Sequence, residues 1–211
     1  MVKYFINYLF LFLGRLWSFI YSYTINRNIK RIIAKLYSGW ISKEFKTIGE
    51  NSVVQKKIYL TGGKYISIGN ETCIGTNTVL SAWDKYGPDS FTPIINIGDN
   101  VSIGDDSHIT AINKIIIGNN VLTGKKITIT DNSHGKSNLE SLLTPPELRL
   151  LYSSGPVYIE DGVWIGDKVT ILPNVRIGRN SIIGANAVVT KDIPANCVAG
   201  GIPAKVIKII E

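Results

Sequence analysis

Residues 159–189 read IEDGVWIGDKVTILPNVRIGRNSIIGANAVV, and the spacing inside that stretch decides the fold. Ile159, Ile165, Ile171, Ile177, Ile183 and Val189 recur at every sixth position. Four residues after most of them comes a smaller or β-branched residue: Val163, Val169, Val175, Ser181 and Ala187. Three residues after them stand Gly162, Asn174, Asn180 and Asn186, residue types that accept the positive φ of a tight corner. An amphipathic helix would need a period of about 3.6, and none fits. Two inward positions in each six residues instead describe short strands with a corner after each. Three such strands close a triangular coil, with a narrow interior suited to one aliphatic stack and one small stack.

The same phase runs toward the N-terminus. Ile68-Gly69, Ile74-Gly75, Ile97-Gly98, Ile103-Gly104 and Ile117-Gly118 repeat the aliphatic-glycine pair, with Thr72, Thr78, Val101, Ser107 and Val121 in the small positions. Asn77, Asn100, Asp106 and Asn120 occupy the corners. Stacked coils have nearly additive stability, and their ends need covering. The spacing places a coil domain over residues 48–211, interrupted by insertions near 82–96 and 135–156, behind an N-terminal basic, aromatic and helical segment over 1–47.

That segment holds the whole charge excess. Lys3, Arg15, Arg27, Lys30, Arg31, Lys35 and Lys43 lie within residues 1–43 with no acidic residue; the other 16 of the 23 basic residues balance the 16 acidic ones. A nucleic-acid binder would carry its basic surface on the folded body, so no nucleic-acid partner is expected. Residues 4–23, YFINYLFLFLGRLWSFIYSY, are almost entirely apolar or aromatic, with Arg15 near the middle, Gly14 interrupting and Tyr and Trp spread throughout, which argues against a simple span. No small-x-small site follows to mark a signal peptide. Beyond it, Ile29, Ile32, Ile33, Leu36, Tyr37, Trp40 and Ile41 recur at helical spacing between basic residues. Such a helix either meets an anionic membrane surface or caps the coils. A cytoplasmic protein, peripheral at the inner face of the membrane, is the expectation. Cys73 and Cys197 are too few for a disulfide framework and lack metal-ligand spacing.

The repeats, with ITDNSHG (129–135) and GPVYIEDGVWIGDKVTILPNVRIGRNSIIGANAVVTKDIPANCVAGGIPAKVIK (155–208), resemble the hexapeptide-repeat acyltransferases. The likeness is to the branch of maltose and galactoside O-acetyltransferases and of capsule and lipopolysaccharide O-acetyltransferases. It implies an all-β main body, a left-handed parallel β-helix with an N-terminal helical appendage. It also implies a homotrimer that binds acetyl-CoA between subunits, needs no metal, and acetylates a saccharide in polysaccharide or lipopolysaccharide biosynthesis. The family's general base corresponds to His134. By the same resemblance Trp164 borders the pantetheine channel, Ala185 and Thr190 line it, and Lys191 and Lys205 meet the phosphates.

The chemistry agrees with that assignment. Removing a proton from a weakly acidic alcohol suits a neutral imidazole. His134 stands five positions after Ile129, an outward place, and leads into the longer insertion. His108 holds the same place after Ile103 and is either an acceptor-site group or a plain surface residue. Many relatives have a histidine two residues before the base; here that place is Asn132, and Asp131 is a candidate to orient His134. N-acetylation of an amino sugar nucleotide and a non-catalytic scaffold are the alternatives. A zinc site of the carbonic-anhydrase kind would need three histidines, and the chain has two.

Overall fold

A computed structural model describes residues 2–211. The six-residue phase becomes three sheets of six, eight and six strands, parallel except for the last strand of the second, with each turn of the coil contributing one strand to each sheet. The first sheet starts at Thr47–Ile48 and ends at Arg176–Ile177; the second starts at Val53–Val54; the third runs from Tyr59–Thr61 to Val188–Val189. The aliphatic stack is continuous. Leu80, Ile109, Ile129, Ile171 and Val189 are in register in the third sheet, and each is fully buried. The small stack is buried too, including polar Thr72, Thr78, Ser107 and Ser181, whose hydroxyls bond backbone carbonyls.

The corners follow the sequence. Asn77, Asn100, Asp106, Asn120, Asn174, Asn180 and Asn186 all have φ between 53° and 61°, and some stack by amide bonds, as Asn100 does on Asn120 at 2.8 Å. Lys126 and Lys168 take the same left-handed conformation without the local side-chain bonding that favours Asn there. The glycine after the aliphatic residue serves close stacking: a Cβ on Gly166 would lie 2.6 Å from the Ala185 nitrogen of the next coil. Cys73 and Cys197 are free thiols, half-buried and buried.

The two ends differ. Helix α1 (Val2–Ile20) has no buried residue. Helix α2 (Tyr23–Ile41), capped by Ser22, lies across the first coil through Ala34, Ser38 and Ile41. The Ser38 hydroxyl accepts from the Val54 N–H at 2.8 Å, which fastens the helix to the edge of the second sheet. The apolar set read as one helical face is two: Ile41 is buried and Ile33 and Tyr37 are half-buried, whereas Ile29, Ile32, Leu36 and Trp40 are exposed. Seven residues over the thirteen positions 29–41 cover about half the circumference, too wide an arc for one contact. Among the described residues no single helix is long and apolar enough to cross a membrane; α1 and the helical stretch after it, bent by 61°, pass that test only as a pair. At the far end Lys205–Ile209 does not continue the coil but turns back antiparallel along Cys197–Gly200.

Candidate active site

Both insertions leave the third sheet on one face and meet over it. The first contains an antiparallel hairpin, Lys85–Tyr86 with Asp89–Ser90. Its base is held by Asp84, which accepts from Lys64 at 2.9 Å and from the Tyr65 hydroxyl at 3.1 Å. Those contacts, led by Lys64, keep the Asp84 carboxyl below its ordinary range. The second insertion begins as Ser133–His134, pairs antiparallel with Leu151–Tyr152, and contains the short helix α3 (Leu139–Leu142). Gly135, at φ +81°, makes the turn after His134, and its N–H donates to the Leu150 carbonyl at 2.9 Å.

Between them opens a cleft of about 440 Å³ that gathers Trp83, Tyr86, His108, Asn132, His134 and Leu151. His134 is exposed at its wall. The Tyr86 ring stands edge-on to the imidazole at 5.5 Å and 71°, and the Tyr86 hydroxyl donates to the Glu147 carbonyl at 3.0 Å. One tyrosine therefore contacts the histidine and ties the two insertions together. Among the described residues the ring nitrogens of His134 have no hydrogen-bond partner. His108 lies beside Thr128 on the adjoining strand, and partial burial lowers its pKa.

Asp131 makes its hydrogen bonds with neighbours other than His134. Its side chain is fully buried, and its two oxygens accept from the N–H groups of Ile112 and Asn113, each at 2.9 Å, and from the Asn132 amide at 3.1 Å. Burial raises its pKa against the pull of those donors. It fixes the corner beneath the histidine loop instead. Asn132 lines the cleft and is locked by Thr130, whose hydroxyl accepts from the Asn132 N–H at 3.1 Å. Trp164, Ala185, Thr190 and Lys191, farther along the coil, and Lys205, on the reversed strand, are all exposed, and none of them lines the cleft. Among the described residues no three His, Cys, Asp or Glu side chains are grouped to hold a metal ion.

Tyr86 and Trp83 were not legible as site residues. They lie outside the six-residue phase, and Tyr86 is 48 positions from His134; the one signal was the insertion itself.

Comparison with known proteins accounts for this arrangement of coils and loops. The family described as bacterial transferase hexapeptide (six repeats) matches residues 156–191. A protein of Escherichia coli strain K12 named as a lipopolysaccharide biosynthesis O-acetyl transferase is 35% identical over 160 residues, covering 74% of this chain and 78% of its own. The chain belongs to the hexapeptide-repeat O-acetyltransferases. The galactoside O-acetyltransferase of the same organism is also 35% identical to this acetyltransferase, over 81% of this chain and 67% of its own. Among solved structures, AntD, an N-acyltransferase from Bacillus cereus in complex with dTDP and 3-hydroxybutyryl-CoA, superposes with a TM-score of 0.65 over 83% of this chain and 88% of that one. At 19% identity it shares the fold of this acetyltransferase and no more.

Proposed function

We propose that the enzyme transfers acetyl from acetyl-CoA to a saccharide hydroxyl, with His134 as the general base. The observation that carries this reading is the placement of an exposed imidazole, held by Tyr86 and with unengaged nitrogens, on the wall of a cleft that contains a second histidine and two large aromatics. The neutral ring accepts the hydroxyl proton as the oxygen attacks the thioester carbonyl. Collapse of the tetrahedral intermediate breaks the carbon–sulfur bond, and the imidazolium returns the proton to the departing thiolate. An O-acetyl ester, free CoA and neutral histidine result. Trp83 and Tyr86 offer apolar ring faces to a sugar, and Asn132 and His108 offer hydrogen bonds.

The coils wind left-handed in this reading, and three chains assemble so that the CoA groove lies between neighbours. The exposure of Trp164, Ala185, Thr190, Lys191 and Lys205 away from the cleft supports a groove completed by a second subunit. CoA is strongly anionic, and Lys191 and Lys205 would meet its phosphates as point charges.

Thiol release from acetyl-CoA, followed over a panel of sugars and amino sugars, tests the assignment. His134→Ala is expected to lower turnover by about 10²–10⁴-fold with acetyl-CoA affinity unchanged. Full turnover in that variant removes His134 as the base, release with amines alone makes the enzyme an N-acetyltransferase, and failure of every acceptor to stimulate release together with failure to bind CoA returns the coil to a scaffold.

A further inference from the structure

The N-terminal helices carry more bare apolar surface than a protein in water usually tolerates. In α1, Phe5, Phe10, Trp17 and Phe19 are each at least 60% exposed. In α2 the helical spacing separates two sides. Ala34, Ser38 and Ile41 face the coil, and on the opposite side Ile25, Ile29, Ile32, Leu36 and Trp40 form a continuous stripe, 39–74% exposed. Lys35 lies beside that stripe, and Arg31 and Arg27, at successive steps of four residues, wind from it toward the coil-facing side; all three are exposed.

Charge decides what covers this surface. Residues 1–43 hold seven basic and no acidic residues, so a second copy of the segment would bring like charge against like. An anionic lipid surface supplies the complement, with an apolar interior for α1 and phosphates for the basic side chains of the segment. Tyr4, Tyr8, Trp17, Tyr21 and Tyr23 are distributed along the segment rather than gathered at its ends, which suits helices lying in the interface better than a span. Arg15 is long enough to lead its charge back to the headgroups.

We infer that α1 and the outward stripe of α2 seat the enzyme on an anionic bilayer, and that its acceptor is a saccharide carried by a lipid of that bilayer. The second half rests on the saccharide reading above. Its geometric support is the position of the cleft. The strand before His134, Thr128–Thr130, is the fourth of the third sheet counted from the end that α2 covers. At about 4.8 Å per strand the cleft stands roughly 15 Å above that end. The width of α2 adds about 10 Å. The cleft is thus held at a fixed, short height over the lipid, beyond a bare headgroup and within reach of a short oligosaccharide attached to one.

Flotation of the full-length enzyme with phosphatidylglycerol–phosphatidylcholine vesicles tests the docking. It is expected to co-float with them, and to do so about ten-fold less with phosphatidylcholine alone or after joint Arg27→Glu, Arg31→Glu and Lys35→Glu substitution. Removing residues 2–20 spares the α2 contact with the coil, and it is expected to abolish flotation while thiol release with a soluble sugar stays within about two-fold. Leu36→Asp, on the outward stripe, provides a second variant that leaves the coil contact intact and should also weaken flotation. Recovery independent of vesicles, or sedimentation showing α1 buried in a larger lipid-free assembly, overturns the docking. With docking established, rates on a lipid-linked saccharide no higher in vesicles than with the 2–20 deletion overturn the acceptor. Vesicle binding without acetyl transfer to any sugar overturns the saccharide reading and leaves the docking standing.

Discussion

The coil from Val157 to Val189 and the cleft above the third sheet are built on opposite principles. In the coil each residue's environment follows from its phase: an aliphatic inside, a small residue inside, Asn or Gly at the corner, and the rest in solvent. Nothing in that pattern is particular to one reaction. In the cleft the decisive contact, Tyr86 against His134, joins two segments that break the phase, and almost none of it is buried deeply enough to support the fold. The difference teaches that stability and chemistry are separable here to an unusual degree: the stack carries the first and the insertions the second.

Substitutions can break or sharpen that separation. The largest effect is expected inside the stack. Ile171→Ala opens a cavity between Ile129 and Val189 and should cost about 2–5 kcal/mol in denaturant unfolding, with activity per folded molecule retained. Tyr86→Ala should do the reverse, leaving the unfolding midpoint in place and lowering kcat about ten-fold by loosening His134. Tyr86→Phe keeps the ring and loses only the bond to Glu147, so kcat should hold while the acceptor KM rises. At the corners, Lys168→Asn relieves a left-handed lysine and should add on the order of 0.5–1 kcal/mol with no kinetic change.

The smallest effect concerns pH. The pKa of His108 is depressed by partial burial, so its neutral form is favoured in the folded state. Its contribution to stability is fully present above the ordinary histidine value of about 6.5 and is lost as pH falls through the depressed one. His108→Gln should flatten the fall of stability as pH drops below the ordinary histidine value of about 6.5, and an unchanged slope would place the titration elsewhere.

How much could be read from the chain divides along the same line. Period, corner chemistry, the sites of both insertions and the outward place of His134 are local properties, so residues such as Asn174 and Val175 announce them directly. Tyr86 has no such announcement, because its partner is set by how two loops fold over a sheet. Asp131 sits two residues after Ile129, and proximity in sequence made it an attractive partner for His134; burial instead directs its oxygens to the backbone of Ile112 and Asn113. The arc of α2 misled in a similar way, since spacing shows that residues share a broad side of a helix but not where one contact stops and another begins.

The reversed final strand, Lys205–Ile209, has a consequence for the molecule as a polymer. A stack of parallel turns is a growing chain whose last unit always presents a template for the next, whether from its own sequence or another molecule's. Running Lys205–Ile209 backwards along the second sheet, with the register shifted between Val198 and Ala199 and with Lys208 on it, breaks the parallel pattern that a further turn would copy there. The coil is in this sense a fibre interrupted after a few turns, and the interruption is written in one reversed strand.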